Sequence, residues 1–130
     1  MKIIDGKALA EELRAELKKK IEQSHRKPGL AVVIVGEDPA SRIYVRNKIK
    51  ACGELGIRSY AYELPENSTQ EEVETLLDTL GKDSDIDGIL LQLPLPRHLD
   101  AEKAELHIPF EKDVDGFSAE NLGLLMKHKE

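Results

Sequence analysis

Leu30-Ala31-Val32-Val33-Ile34-Val35 is an unbroken apolar run, most of it β-branched, with no polar side chain to offer water on either side. Successive side chains of a strand point to opposite faces, so this stretch must be covered above and below. A chain holding such a strand needs a layer on each side of its sheet.

The rest of the chain supplies those layers. Ile86 to Leu93 reads as a second buried strand, running into Pro94-Leu95-Pro96, and Ile57 to Leu64 alternates with polar residues, as a strand near an edge does. Between the strands lie helical patterns. Lys7 to Gln23 repeats Leu9, Leu13, Leu17 and Ile21 along one stripe. Asp38 to Leu55 opens with a capping Asp and a Pro at the first helical position, and ends at Gly56. Ser68 or Thr69 caps a helix to Leu80 whose stripe is Val73, Leu76, Leu77 and Leu80. A shorter helix fits Asp100 to Leu106, and Ser118 caps a last one carrying Leu122, Leu125 and Met126. Met1 to Ile4 reads as a short strand or an extended lead-in, and Ser24–Gly29, Pro65–Ser68 and Gly81–Asp85 as loops. Connections this long exclude hairpins. The expected fold is α/β, a three-layer sandwich with a mainly parallel sheet flanked by helices, whose ligands sit at the carboxyl ends of the strands.

At 130 residues the length suits one domain, and a net charge of −6 argues against nucleic acid as the main partner. Basic side chains concentrate in the first half, which suits an anionic small molecule. Cys52 is the only cysteine, so no intrachain disulfide forms and a reducing compartment is expected. With no signal peptide and no membrane-length apolar run, the expected location is the cytoplasm.

The Asp38–Gly56 helix carries an anomaly. At about 100° per residue, Tyr44, Val45, Lys48, Ile49, Ala51, Cys52 and Leu55 share one face, with Arg42, Arg46, Asn47, Lys50 and Glu54 on the other. Lys48 thus stands within an apolar stripe, one turn from Tyr44. Two readings are open. The amine is desolvated enough to exchange protons near neutral pH, or the side chain snorkels past the core rim. Gln92 ends an apolar strand, and its amide either bonds local backbone or points into a pocket. Asp113-Val114-Asp115-Gly116 is a turn with Asp at its start, or a binding loop; it does not fit an EF-hand. His25, His98, His107 and His128 lack metal-ligand spacing, Cys52 reads as packing, and neither a Walker loop, a Gly-x-Ser-x-Gly nor a Gly-x-Gly-x-x-Gly occurs.

Taken together, four motifs carry a resemblance: Pro28-Gly29-Leu30-Ala31; Gly36-x-x-Pro39-Ala40-Ser41-x-x-Tyr44-Val45-x-x-Lys48-x-Lys50-Ala51-Cys52; Asp87-Gly88-Ile89-Leu90-x-Gln92-Leu93-Pro94-Leu95-Pro96; and Lys112-Asp113-Val114-Asp115-Gly116-Phe117. The chain resembles the bifunctional methylenetetrahydrofolate dehydrogenase/cyclohydrolase family (FolD), from Ile3 to the Asn121-Leu122-Gly123 region. That family continues into a Rossmann domain that binds NADP and then returns a final helix to the first domain. The resemblance therefore implies a folate-binding catalytic domain over residues 1–117 and, over 118–130, a helix leading toward an NADP-binding domain that this chain lacks. An exposed apolar patch is expected where those parts would dock.

The resemblance also implies roles. Lys48 moves protons in hydrolysis of 5,10-methenyltetrahydrofolate to the 10-formyl compound. Gln92 holds Lys48 and polarises the attacking oxygen, Tyr44 stacks on the folate, and Asp115 accepts hydrogen bonds from the pterin. Leu91 and Leu93 complete the substrate-binding set. NADP belongs to the dehydrogenase step but has no site in this chain, and no metal is implied. Tetrahydrofolate derivatives are the expected partners, and the parent protein is expected to be a homodimer. The alternatives are a folate-binding fragment without turnover and a non-catalytic α/β interaction domain in which Lys48 merely snorkels.

Overall fold

A computed structural model describes residues 5–127. In chain order the elements are α1 (Gly6–Glu22), β1 (Gly29–Val35), α2 (Pro39–Leu55), β2 (Arg58–Leu64), α3 (Gln70–Lys82), β3 (Gly88–Leu91), α4 (Ala101–Glu105), a 3-10 turn (Phe110–Lys112) and α5 (Ala119–Met126). β1 lies in the middle of a three-stranded sheet of order β2-β1-β3, and both of its pairings are parallel. This is the α/β fold expected, with β2 at an edge. The lead-in at Met1–Ile4 and His128 lie outside the described residues.

The two-sided burial of β1 sets the layers. Ala31, Val33 and Val35 face one way and pack with Ile89 and Leu91 of β3 against Val73, Leu77 and Leu80 of α3 and Ala104 of α4. Val32 and Ile34 face the other way and, with Leu90, meet Val45 and Ile49 of α2. Leu77, Ile89, Val32, Val33 and Val73 are the largest side chains with essentially no exposure.

Local signals set the helix ends. Asp38 accepts from Ser41 N at 2.7 Å, Pro39 fills the first helical position, and Gly56 closes α2 at φ +85°, where an L side chain would be strained. Thr69 and Glu72 form a reciprocal capping box on α3. Lys112 Nζ donates to the carbonyl of Asp83 at 2.7 Å and to that of Leu80 at 3.4 Å, closing the far end of the same helix.

Three expectations need adjustment. Gly81 and Lys82 are helical rather than loop, because α3 runs on to Lys82. β3 is shorter than the apolar run, although Asp87 N→Gly29 O and Gln92 N→Val33 O continue the ladder at both ends; Pro94 and Pro96 beyond have no N–H to extend it. On α1 only Ile21 of the stripe is buried, where it lies against Gly56; Leu9, Leu13 and Leu17 are 49%, 56% and 42% exposed. Leu122, Leu124, Leu125 and Met126 of α5 are exposed too. Exposed apolar side chains therefore stand on both α1 and α5. No helix among the described residues is long and apolar enough to cross a membrane.

Candidate active site

The alternation of β3 decides where Gln92 points. Leu90 packs toward α2, and two residues on, with the ladder still intact at its N–H, Gln92 shares that face. From α2, Lys48 reaches over the same face, and its Nζ donates to Gln92 Oε1 at 3.0 Å. The other end of the amide is also held, with Nε2 donating to Leu93 O at 2.8 Å. Of the two readings of Gln92, the bond to local backbone is present, and the amide oxygen is taken by the lysine. Lys48 and Gln92 are each partly buried, and α2 passes close enough beside the carboxyl end of β3 for one side chain to span the gap.

Asp115 arrives from the opposite edge. Asp113 forms a parallel bridge with Ile89 along the outer side of β3. Continuing that register brings Asp115 beside Leu91, and both line one narrow cleft. Burial is the largest influence on the Asp115 carboxyl; it pushes the pKa up, Lys48 pulls it down, and Asp113 adds a further push, leaving it above the ordinary carboxylate range. Lys48 therefore lies near enough for its charge to act on Asp115. Tyr44, one turn before Lys48, is 61% exposed.

Leu91 and Leu93 turn to the other face. Leu91 is buried in the α3-side core and Leu93 packs against it, so toward Lys48 they offer backbone. Cys52 is buried on α2 and burial pushes its thiol up, which suits packing rather than nucleophilic attack. His107 sits between Asp78 and Glu74 on α3, and His98 bonds the Ser68 carbonyl. No group of three metal-ligating side chains occurs among the described residues.

Sequence reasoning took Asp113 only as the start of a turn and gave Asn121 no role. The turn reading of Asp113 holds, since its carboxylate accepts from Gly116 N at 2.9 Å; it also accepts from Ser118 N at 2.8 Å and Asn121 Nδ2 at 3.1 Å. Burial pushes this carboxyl up, but bonds from Ser118, Asn121 and Gly116 together outweigh it and hold it below the ordinary range. The sign follows. A depressed carboxyl contributes stability above its unfolded value, about 3.9, and loses it as pH falls through the folded value. Asp38 and Asp87 are lowered as well, chiefly by backbone N–H bonds from Ser41 and Gly29, whereas burial raises Glu105. Asp115 and Glu105 therefore oppose acid unfolding, while the three lowered groups drive it. Asp113→Asn should flatten the fall of Tm below about pH 4 relative to the unsubstituted chain, as calorimetric scans across that range would read; an unchanged slope would contradict the assignment.

A parallel sheet that presents a lysine–amide pair and a carboxylate around the end of one strand defines a class, the open α/β domains that hold small ligands at strand carboxyl ends. The family described as tetrahydrofolate dehydrogenase/cyclohydrolase, catalytic domain, matches residues 4–115. This chain belongs to that family. It is 54% identical over 129 residues to the bifunctional protein FolD of Nitratidesulfovibrio vulgaris (strain DSM 19637 / Miyazaki F), covering 96% of this chain and 45% of that one. Among solved structures it is similar to the bifunctional enzyme FolD of Campylobacter jejuni, with TM-score 0.92 and 45% identity over 97% of this chain and 46% of that one. It is also similar to the Trypanosoma brucei enzyme complexed with NADP cofactor and inhibitor, with TM-score 0.90 and 36% identity over 99% of this chain and 46% of that one. The chain spans a little under half the length of these relatives.

Proposed function

We propose that this chain is the folate-binding, proton-moving part of a protein that oxidises 5,10-methylenetetrahydrofolate with NADP and hydrolyses the resulting 5,10-methenyl compound to 10-formyltetrahydrofolate. The observation that carries the reading is the 3.0 Å bond from Lys48 Nζ to Gln92 Oε1. An amine held by an amide at a strand's carboxyl end, with a carboxylate nearby, is a general acid–base group placed where a ligand can reach it.

In this reading the oxygen of a water molecule bonds to the methenyl carbon and one of its protons passes to Lys48. The second proton is released as that oxygen becomes the formyl carbonyl. The bond from carbon to N5 breaks, and N5 takes the proton that Lys48 holds. Gln92 keeps one amide hydrogen and one lone pair beyond its two observed bonds, enough to fix the lysine and still touch the attacking oxygen. Asp115 accepts from N–H groups of the pterin. Tyr44 offers an exposed aromatic face to a flat, partly cationic ligand.

The cavity at the carboxyl ends of β1 and β2 does not fit NADP. That cavity, about 680 Å³, is lined by Glu37, Asp38, Glu63 and Glu66, with Arg42 as its one cation. Arg42 already pairs with Glu37 at 3.3 Å, and Asp38 occupies the N–H of Ser41 at the start of α2. A pyrophosphate would meet repulsion there. The hydride step accordingly belongs to the longer protein, which in this reading is a homodimer. Folate binding without turnover is the second reading, favoured by the 61% exposure of Tyr44, which leaves the folate's aromatic contact open on one side.

Methenyltetrahydrofolate absorbs light and its ring-opened product does not, so absorbance decay above the spontaneous rate reads turnover directly. Turnover supports the first reading, and binding without turnover supports the second. A folded chain that neither binds nor hydrolyses the compound overturns both.

A further inference from the structure

The loop that carries Asp115 is organised by two residues to which the folate chemistry assigns no role. Asp113 Oδ1 takes the N–H of Gly116, while Oδ2 takes the N–H of Ser118 and the amide of Asn121. Asn121 Nδ2 also donates to the Phe110 carbonyl at 2.9 Å, and Ser118 Oγ caps α5 on Asn121 N at 3.2 Å. The 3-10 turn, the loop and the first turn of α5 therefore converge on one carboxylate, whose own backbone is bridged to Ile89 of β3. Gly116 completes the loop at φ +72° with open space where a Cβ would stand, so glycine serves the backbone there rather than a close contact. Asp115 differs from its neighbour. Among the described residues no hydrogen bond reaches its carboxylate, and both oxygens stay available to donors from outside the loop.

We infer that Asp113 and Asn121 are positioning residues for Asp115, a carboxylate–amide clamp that holds the loop so that Asp115 lines the cleft beside Leu91 at the end of β3. What Asp115 then binds rests on the folate reading; the clamp itself rests on the bonds above. Its logic is geometric. Asp115 sits two residues from Asp113 and next to a glycine, in a segment that would sample many conformations if its ends were loose. Three N–H donors on one ionised acceptor remove that freedom before the ligand arrives. The charged groups facing Asp115 are Lys48 from α2, Asp113 from its own loop and Glu105 of α4, which lines the same cleft and is itself pushed up by Asp113 and Asp115.

Asp113→Asn tests this. The substitution sets an NH2 in place of an oxygen that accepted from N–H donors, and it removes a charge that pushes Asp115 upward. Carbon-13 carboxyl NMR should show the Asp115 titration moving to lower pH, and the Gly116 and Ser118 amides should exchange faster. Folic acid binding, measured by titration calorimetry, should weaken on the order of tenfold. Should Asp113→Asn fail to fold, Asn121→Ala removes only the two bonds of that amide, to Asp113 and to the Phe110 carbonyl, and should still raise exchange at Ser118. A folded Asp113→Asn chain with unchanged exchange and an unchanged Asp115 titration overturns the clamp, whatever folic acid does. If those signals move while even the unsubstituted chain ignores folic acid, the clamp stands and the folate reading falls.

Discussion

Lys48→Met is expected to cut hydrolysis of 5,10-methenyltetrahydrofolate at least about 100-fold, the lower end of what a positioned acid–base group contributes. Methionine keeps most of the length and the apolar stem of lysine but has no proton to give or take. The site should tolerate the exchange. Lys48 is only partly buried within an otherwise apolar stripe, and Gln92 keeps its bond to the Leu93 carbonyl. A Tm within a few degrees of the unsubstituted chain, together with near-complete loss of absorbance decay, would place the proton on this amine. A folded variant that hydrolyses at the full rate would remove Lys48 from the chemistry and leave its bond to Gln92 a structural one.

Leu77→Ala should be the most damaging single truncation of the core. Leu77 has no exposure and stands on α3 among Val33, Val73, Leu80 and Ile89, at the middle of the larger of the two packed faces. Strands on one side and helix on the other restrict collapse into the space left behind. The cost is about 3 kcal/mol, which for a domain of this size lowers Tm on the order of 10 °C. Denaturant unfolding gives the check, and a change below about 1 kcal/mol would mean that the layer repacks freely around the gap.

Much of the architecture was open to reading because its signals are local. The apolar run of β1 demanded two covering layers, and Ala31/Val33 and Val32/Ile34 do face separate cores. Asp38, Pro39 and Gly56 marked both ends of α2. Lys48 drew notice because it interrupts a stripe of apolar neighbours, and the face of Gln92 follows from strand alternation once Leu90 is known to meet α2. The remainder depends on partners far away in the chain. Nothing in the spacing of Asn121 announces that its amide will meet Asp113, because both are ordinary turn and helix-start residues until the loop closes. Asp115 was singled out by family likeness rather than by pattern, and its place beside Leu91 depends on a bridge to β3 that no periodicity encodes. The stripe on α1 showed that the helix is two-sided but not what covers it, since such a pattern records a need for burial and not its fulfilment.

The way α1 is attached has a mechanical outcome. Of its apolar stripe only Ile21, in the last turn, is buried, so the preceding turns draw little support from the sheet. Such a segment melts on its own, by a subglobal opening that costs far less than unfolding the strands. A protease acting on the folded chain would therefore nick between Leu9 and Leu17 first, at a rate set by the population of that opened form.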